Sequence, residues 1–401
     1  MLCWYPSYKN KRCYTQLLGQ MNIVVYFTKF ICYNKLNKIF EVNQLNSKSQ
    51  NETLFWKKKE YVSFVLSILV LFIHSYFAPT VLNDSFISLF NHKFSFFFSR
   101  SITRYAVPMF FMLSGISFFK GYNPKKYLTK IKSRIHTLVI PYLLWNTVWM
   151  LWEIFGSYSF ISKFSEANVP YPLTLESILK GILFYKCNIP FWFIFDIIIF
   201  SFAAPLLFLI IKNKYIGITS VACLSILSLV GIYLPTNLFY YPMAIVFYLI
   251  GAIIGYHFFN YASKKSSKPI QIISLVVFSS YILAKSIVPQ ELHISNYLIE
   301  TIVYTIAAFS LWNILDIFIE RIKPRAIYRR SFAIYATHLN VAIVLLKILS
   351  FCLPDYEWLA VPKFIIMAVF TIVIINYACA ISEKFFPRIY ALFIGNRLKK
   401  D

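Results

Sequence analysis

Ten long apolar stretches constrain this sequence more than any other feature. A stretch of about 20 apolar residues is long enough to cross the ~30 Å hydrocarbon core of a bilayer. Inside that core only a helix or a closed barrel satisfies its own backbone hydrogen bonds, and continuous spans of this length are helices. The predicted spans are residues 61–78, 94–119, 136–155, 191–211, 215–234, 241–259, 270–288, 297–319, 331–353 and 360–380. The sequence therefore predicts an all-α fold, a polytopic membrane helical bundle of ten transmembrane helices.

Composition excludes a soluble globular protein. Charged residues make up only 14% of the chain, against about 25% in average soluble domains. The spans follow one another through short loops, which indicates one membrane domain over residues 61–381. A basic segment, residues 1–60, precedes it without a signal-peptide cleavage pattern and is expected to be disordered or to lie on the membrane surface. A basic tail, residues 382–401, follows it.

The net charge of +24 is explained by membrane topology, not by nucleic-acid binding. With the N-terminus inside, the cytoplasmic segments are residues 1–60, 120–135, 212–214, 260–269, 320–330 and 381–401. They hold 31 of the 40 lysines and arginines but only six of the 16 acidic residues. A basic excess confined to alternate loops is the positive-inside pattern, and it predicts that both termini are cytoplasmic.

Several kinds of chemistry lack a sequence signal. The seven cysteines form no C-x-x-C pair and no zinc-like spacing with histidine, so no metal is predicted. The chain has no Walker-type glycine loop and no G-x-G-x-x-G motif, which argues against direct use of a nucleotide triphosphate.

Two ionisable residues in the first two spans are the main candidates for function. His74 lies 13 residues into the first span, ~20 Å from its cytoplasmic start. Arg104 lies 15 residues from the inner end of the second span, ~22 Å, so both are predicted at one depth in the outer third of the membrane. A neutral imidazole can act as a general base, and an arginine can stabilise an oxyanion or orient an acidic group. The alternative is that His74 bonds a neighbouring helix while Arg104 snorkels to the interface.

Four blocks of sequence carry a resemblance to a known family. They are RYAVPMFFMLSG (104–115), KIKSRIHTLVIPYLLWN (130–146), FWFIFD (191–196) and IYATHL (334–339). In type and order they resemble the membrane-bound acyltransferase family 3, which includes bacterial O-acetyltransferases acting on surface polysaccharides. The resemblance covers roughly residue 60 to the end of the tenth span.

The resemblance implies acyl transfer across the membrane, from cytoplasmic acyl-CoA to a hydroxyl on the outer side. It makes His74 the base and matches Arg104 to the arginine that precedes the VP–FF block, where it would help to hold the developing negative charge. It assigns Arg134, with Lys130 four residues before it, to the phosphates of CoA; ordinary positive-inside charge is the alternative for these two. One departure is Ser63, which stands where many members carry an arginine eleven residues before the histidine.

His338 in the ninth span, with Tyr335 one turn before it, is a further candidate for the acyl-CoA site. It is placed ~10 Å from the inside, where it either lines a channel for the pantetheine arm or ties helices together. Asp196 and Glu153 are secondary, as partners for Arg104 or as interfacial groups.

The sequence thus predicts a multi-pass acyltransferase of the inner (plasma) membrane that O-acetylates a surface or exported glycan, or a lipid-linked saccharide, with acetyl-CoA as the expected donor. The alternative is a transporter of a glycan or lipid-linked sugar, with His74 and Arg104 contacting substrate. No pair of broken helices is evident in the sequence, which argues against transport.

Overall fold

A computed structural model describes residues 49–75, 85–158, 171–227, 243–287 and 297–396 of the chain. The chain divides into two units, residues 1–54 and residues 55–401. The first unit is described only over residues 49–54, which are helical. Most of the predicted N-terminal segment and the last five residues of the predicted tail therefore lie outside the described residues.

The regular structure of the described residues is helical throughout, as predicted. In the second unit, α1 comprises residues 55–74. The other helices are α2 Phe86–Phe96, α3 Ala106–Phe119, α4 Tyr127–Arg134, α5 Ile140–Tyr158, α6 Leu175–Leu183, α7 Trp192–Phe202, α8 Ala204–Ile211, α9 Lys214–Leu227, α10 Ala244–His257, α11 Phe259–Ser263, α12 Lys268–Ile287, α13 Tyr297–Ile314, α14 Ala326–Arg329, α15 Ser331–Cys352, α16 Ala360–Phe385 and α17 Pro387–Phe393.

Within the described ranges, six helical segments are long and apolar enough to cross a membrane. They are Phe86–Phe119, Pro124–Gly156, Lys268–Ile287, Leu298–Ile317, Ser331–Cys352 and Glu357–Phe385, and each contains or closely matches a predicted span. The helices α9 and α10 are apolar but shorter. Ten spans and two cytoplasmic termini stay a prediction.

The fourth predicted span, residues 191–211, is broken. Ile189–Phe202 and Ala204–Ile211 meet at 71°. Pro205 lies in the first turn of α8, and proline cannot donate the backbone hydrogen bond that would continue α7. The sequence showed no sign of a pair of broken helices, and within the described residues one predicted span is bent. Counted as one span, the bent pair is the seventh candidate.

Two helices near the centre, α3 and α10, approach closely through glycine. Gly251 and Gly255 on α10 form a G-x-x-x-G pattern, which allows helix backbones to meet in membranes. A Cβ atom at Gly251 would lie 2.0 Å from the Met112 carbonyl oxygen, and one at Gly255 would lie 2.5 Å from that of Ile116. Any side chain at either position would push the two helices apart.

A buried ion pair holds α1 against the end of α13. The Lys58 ammonium lies 2.9 Å from Asp316 Oδ1 and 4.1 Å from the centroid of the Trp312 ring. Asp316 Oδ2 accepts from the backbone N–H and the hydroxyl of Ser266, which precedes α12. Three segments of the bundle therefore meet at one carboxylate.

Candidate active site

The two histidines singled out in the first and ninth spans meet in the fold. His74 on α1 and His338 on α15 have ring centroids 5.3 Å apart, with the rings tilted by 47°. His338 is fully buried and His74 is half-buried. Ionisable side chains inside an apolar bundle cost free energy and usually mark a functional site. This pair is therefore the strongest candidate centre for chemistry.

The hydrogen bonding of His338 defines its tautomer. Its Nδ1 lies 2.7 Å from the Tyr335 carbonyl oxygen, and because a carbonyl only accepts, Nδ1 carries the hydrogen. Its Nε2 has no hydrogen-bond partner among the described residues. The ring therefore presents an unused lone pair in the interior next to His74.

Tyr335 fastens this part of α15 to the start of α7. Its hydroxyl donates to the Pro190 carbonyl, and its ring stacks on Phe191 with centroids 6.0 Å apart and an interplanar angle of 6°. Phe193 and Phe110 close on the same ring, at 5.6 and 6.3 Å. The FWFIFD block thus forms, with Tyr335, an aromatic wall that leads to His338.

Asp196 is a functional candidate that the sequence left among secondary ones. It lies on α7, is 1% exposed, and its Oδ2 finds no hydrogen-bond partner among the described residues. Of the two alternatives for Asp196, pairing with Arg104 is not seen among the described residues. A buried carboxyl group close to Tyr335 without a partner in the described part of the chain is expensive, and a ligand is the natural source of one.

Arg104 lies apart from the histidine pair. Its side chain is exposed, and its Nε lies 3.4 Å from the Arg100 carbonyl oxygen. The turn that carries it is held to α12, because the Tyr281 hydroxyl donates to the Ser101 carbonyl at 3.2 Å. Over the described residues, no hydrogen bond or ion pair joins Arg104 to His74.

Lys130 has a structural task. Its ammonium donates to the carbonyls of Phe118 and Lys120 at the end of α3. Those carbonyls carry the negative end of the helix dipole, which a cation stabilises. Lys130, which the sequence assigned to CoA binding, therefore also stabilises the connection between α3 and α4.

Arg134, by contrast, keeps its hydrogen-bonding capacity. Its guanidinium carbon lies 5.2 Å from the centroid of the Phe118 ring, and within the described ranges it makes no hydrogen bond or ion pair. The Tyr122 hydroxyl is buried beside Phe118 and lacks a hydrogen-bond partner among the described residues, and Tyr248 lies close to the guanidinium. A half-buried cation beside phenol hydroxyls is suited to bind an anion.

Helix α3 connects the two clusters. Phe110 lies against Tyr335 in the histidine cluster, and Phe118 lies under Arg134. Eight residues along a helix correspond to ~12 Å, which is the separation of the two clusters along α3. Within the parts of the chain that are described, no group of three or more His, Cys, Asp or Glu side chains is arranged to hold a metal ion.

Comparison with known proteins identifies the family of the chain. The family model of acyltransferase family 3, described as an acyltransferase domain, matches residues 60–377. That range contains both histidines, Arg134 and the aromatic wall. No curated protein and no solved structure matches the chain. The matched range covers most of the sequence, and the chain therefore belongs to acyltransferase family 3, as a multi-pass membrane acyltransferase.

Proposed function

We propose that this acyltransferase moves an acetyl group from cytoplasmic acyl-CoA to a hydroxyl of a surface or exported glycan at the outer side of the inner (plasma) membrane. The observation that carries the proposal is the meeting of His74 and His338 inside the bundle. The family match decides between the two classes that the sequence left open, in favour of the acyltransferase.

Arg134 is proposed to anchor the donor. Phosphate groups need a guanidinium and hydroxyl donors that are not already engaged, and Arg134 and Tyr122 meet that requirement. Lys130 contributes mainly through its positive charge beside this site, since its hydrogen bonds are spent on α3. The adjoining basic connector, residues 120–134, adds to the attraction for an anionic donor.

Tyr335 and His338 are proposed to line the passage for the pantetheine arm. Its walls are aromatic, which suits a mostly apolar chain. Its one unpartnered carboxyl group, on Asp196, is suited to accept from an amide N–H of that arm. The arm would then deliver the thioester to the point where His74 and His338 meet.

The reaction assigned to this centre is direct transfer. His74 takes the proton of the acceptor hydroxyl as its oxygen attacks the thioester carbonyl carbon. The new C–O bond forms a tetrahedral intermediate, whose collapse breaks the C–S bond. CoA leaves as a thiolate and takes up the proton from His74. The unused Nε2 of His338 can accept a hydrogen bond from the protonated His74 and so stabilise it.

Arg104 is proposed to serve the acceptor. An exposed guanidinium at the predicted outer boundary of the second span is suited to orient an acidic group of a glycan. Ser63 occupies the first-span position where many family members carry an arginine, so in this chain Arg104 and Arg134 would divide the binding of anionic groups between acceptor and donor.

The test uses purified full-length protein in proteoliposomes, with acetyl-CoA and an extracted lipid-linked or surface glycan. CoA release is followed with a thiol reagent, and acyl transfer by mass spectrometry of the glycan. Wild-type protein should release CoA and label the glycan, whereas His74→Ala should lose about 10²–10⁴-fold in rate.

The matched control is His92→Ala, which removes a half-buried histidine on α2 outside both clusters. It should keep the wild-type rate. A His74→Ala protein that transfers acetyl groups as fast as the His92→Ala protein would contradict the proposal. Succinyl-CoA in a parallel reaction tests whether the acyl group is acetyl.

A further inference from the structure

A cavity opens near the predicted cytoplasmic end of the bundle, and its lining includes no residue of the histidine cluster or the Arg134 cluster. It has a volume of about 580 Å³ and lies between α3, α10, α13 and the start of α12. Its interior is apolar and includes Met109, Met112, Ile116, Ala308 and Trp312. A pocket of this size is in the range that holds small ligands.

The mouth of this cavity is basic. Lys264 and Lys265, in the loop between α11 and α12, line it together with Ser267. Lys264 is exposed, and over the described residues no acidic group pairs with it. Lys265 pairs with Glu320 at 2.7 Å, on a side chain that is itself two-thirds exposed. One lysine is thus available for an anion, and the other is held by a carboxylate that an anion can displace.

The cavity extends from this mouth into the membrane. The lining residues Met109 and Ile116 are seven positions apart on α3, which corresponds to ~10 Å. The mouth lies in loop 260–269, one of the basic segments predicted to face the cytoplasm. An apolar cavity within the bilayer with cations at the headgroup level is complementary to a phospholipid that carries a negative headgroup.

We propose that this cavity binds one acyl chain of an anionic phospholipid, with the lipid phosphate at Lys264 and Lys265. The lipid is distinct from the acyl donor. Helix α3 presents Met109, Met112 and Ile116 to this cavity, whereas Phe110 and Phe118 contact the histidine and Arg134 clusters. The lipid therefore contacts α3 on the side away from the reaction.

The experiment measures lipid binding to the full-length protein by native mass spectrometry from detergent. The probes are phosphatidylglycerol and phosphatidylethanolamine with identical acyl chains, titrated separately. Wild-type protein should bind one phosphatidylglycerol in preference to phosphatidylethanolamine. Lys264→Gln should weaken that binding about five-fold, the usual contribution of one lysine beside an anionic headgroup. Lys212→Gln, at an exposed lysine of another predicted cytoplasmic loop, should not change it.

Two variants test the geometry from opposite directions. Glu320→Gln frees Lys265 and should strengthen phosphatidylglycerol binding, whereas Ala308→Phe fills the cavity and should abolish preferential binding. A phosphatidylglycerol with bromine on its acyl chain provides an independent readout, because it should quench Trp312. Quenching that is present in the wild type and absent in Trp312→Phe comes from Trp312 and therefore measures occupancy of the cavity. This measurement does not depend on whether the Ala308→Phe protein folds.

Equal binding of the two lipids would overturn the proposal, and so would quenching that is unchanged in Trp312→Phe. A Glu320→Gln protein that binds phosphatidylglycerol more weakly would also contradict it. Because the readouts are lipid binding and fluorescence, their failure is separate from any failure of the acyl-transfer assay.

Discussion

His74 and His338 lie with their ring centroids 5.3 Å apart, on helices at opposite ends of the membrane domain's sequence. The His338 Nδ1–H is held by the Tyr335 carbonyl, so the free lone pair is on Nε2. Two imidazoles in contact can exchange or share a proton, which a single buried histidine cannot do. Helices α1 and α15 thus contribute together to one proposed catalytic centre.

Replacing His338 by alanine should lower kcat about 10-fold or more and leave the KM for acetyl-CoA nearly unchanged, because the group acts on the proton held by His74 and not on donor phosphates. Steady-state CoA release in proteoliposomes measures both constants. Thr337→Ala is the matched control, since the Thr337 hydroxyl only bonds the Ala333 carbonyl of its own helix. Normal kcat in His338→Ala would assign the histidine a purely structural role.

Arg134 and Lys130 should respond differently to substitution. Arg134→Gln should raise the KM for acetyl-CoA more than tenfold, because hydrogen bonds to charged groups contribute about 1.5–3 kcal/mol. Lys130→Met should instead lower the melting temperature in detergent, since it uncaps α3. Kinetics and thermal unfolding of both variants separate the two effects. Lys132→Gln, an exposed neighbour, should change neither, and equal effects of the first two variants would refute the distinction.

Asp196→Asn should raise thermal stability and reduce turnover. The carboxyl group is buried without a hydrogen-bond partner for Oδ2 in the described structure, and an amide of the same shape removes the cost of burying a charge. If Asp196 serves the donor arm, the stabilised variant loses activity, which is the usual trade at a functional site. The melting temperature and the CoA-release rate of Asp196→Asn are measured on the same preparation. A variant that is more stable and fully active would exclude a role of Asp196 in the reaction.

The Lys58–Asp316 pair should behave as a buried ion pair. Removing one partner, as in Lys58→Met, leaves a buried charge unpaired and should cost about 3–5 kcal/mol of unfolding free energy. Lys58→Met combined with Asp316→Leu should recover most of that loss. Reversible unfolding in mixed micelles of detergent and dodecyl sulfate compares the wild type with Lys58→Met, Asp316→Leu and the double variant. Additive losses in the double variant would show that the two side chains act independently.

The same lysine predicts a pH dependence. Burial lowers the pKa of the Lys58 ammonium below its ordinary value of 10.5, and the Asp316 carboxylate opposes part of that shift. Between the lowered value and 10.5 the unfolded chain binds more protons than the native chain, so this contribution to the unfolding free energy rises with pH. The stability difference between wild type and Lys58→Met should therefore grow as the pH is raised through this range. A difference that shrinks would mean that the native pKa is raised.

Glycine at position 251 should be essential for packing. Gly251→Val would place side-chain atoms where a Cβ already lies 2.0 Å from the Met112 carbonyl oxygen, so α3 and α10 must separate. We expect loss of folded protein, measured as monodisperse yield after detergent extraction. Gly217→Ala is the control, because its Cβ would meet the Ile253 side chain at 3.1 Å and the Ile211 backbone at an ordinary contact distance of 3.5 Å. Similar yields of the two variants would mean that the close approach of α3 and α10 is not required.

Local patterns in the sequence predicted the helices well. Six of the ten predicted spans lie within or closely match helical segments that are long and apolar enough to cross a membrane. The prediction works because a membrane helix satisfies its hydrogen bonds within itself and its residues must be apolar. Pro205 is a sequence signal for the break between α7 and α8. Hydrophobicity does not reveal the break, because the two halves of the span are both apolar.

Partnership between helices could not be read in the same way. The sequence placed Arg104 at the depth of His74, yet equal depth does not mean contact, and the tertiary structure holds Arg104 beside α12. It assigned Lys130 to CoA, which stays a prediction, and it could not show that the Lys130 ammonium also donates to carbonyls at the end of α3. It left open whether His338 lines a donor channel or ties helices together, and only the packing of α1 against α15 brings it to His74.

The sequence by itself determined that the chain is a helical membrane protein with family features, because apolar length and local motifs are properties of consecutive residues. The tertiary structure decided which ionisable groups meet and which are consumed by the fold. That choice depends on where small residues such as Gly251 let helices approach and on which polar atoms remain unsatisfied after packing. Both are properties of the assembled bundle, and no single segment carries them.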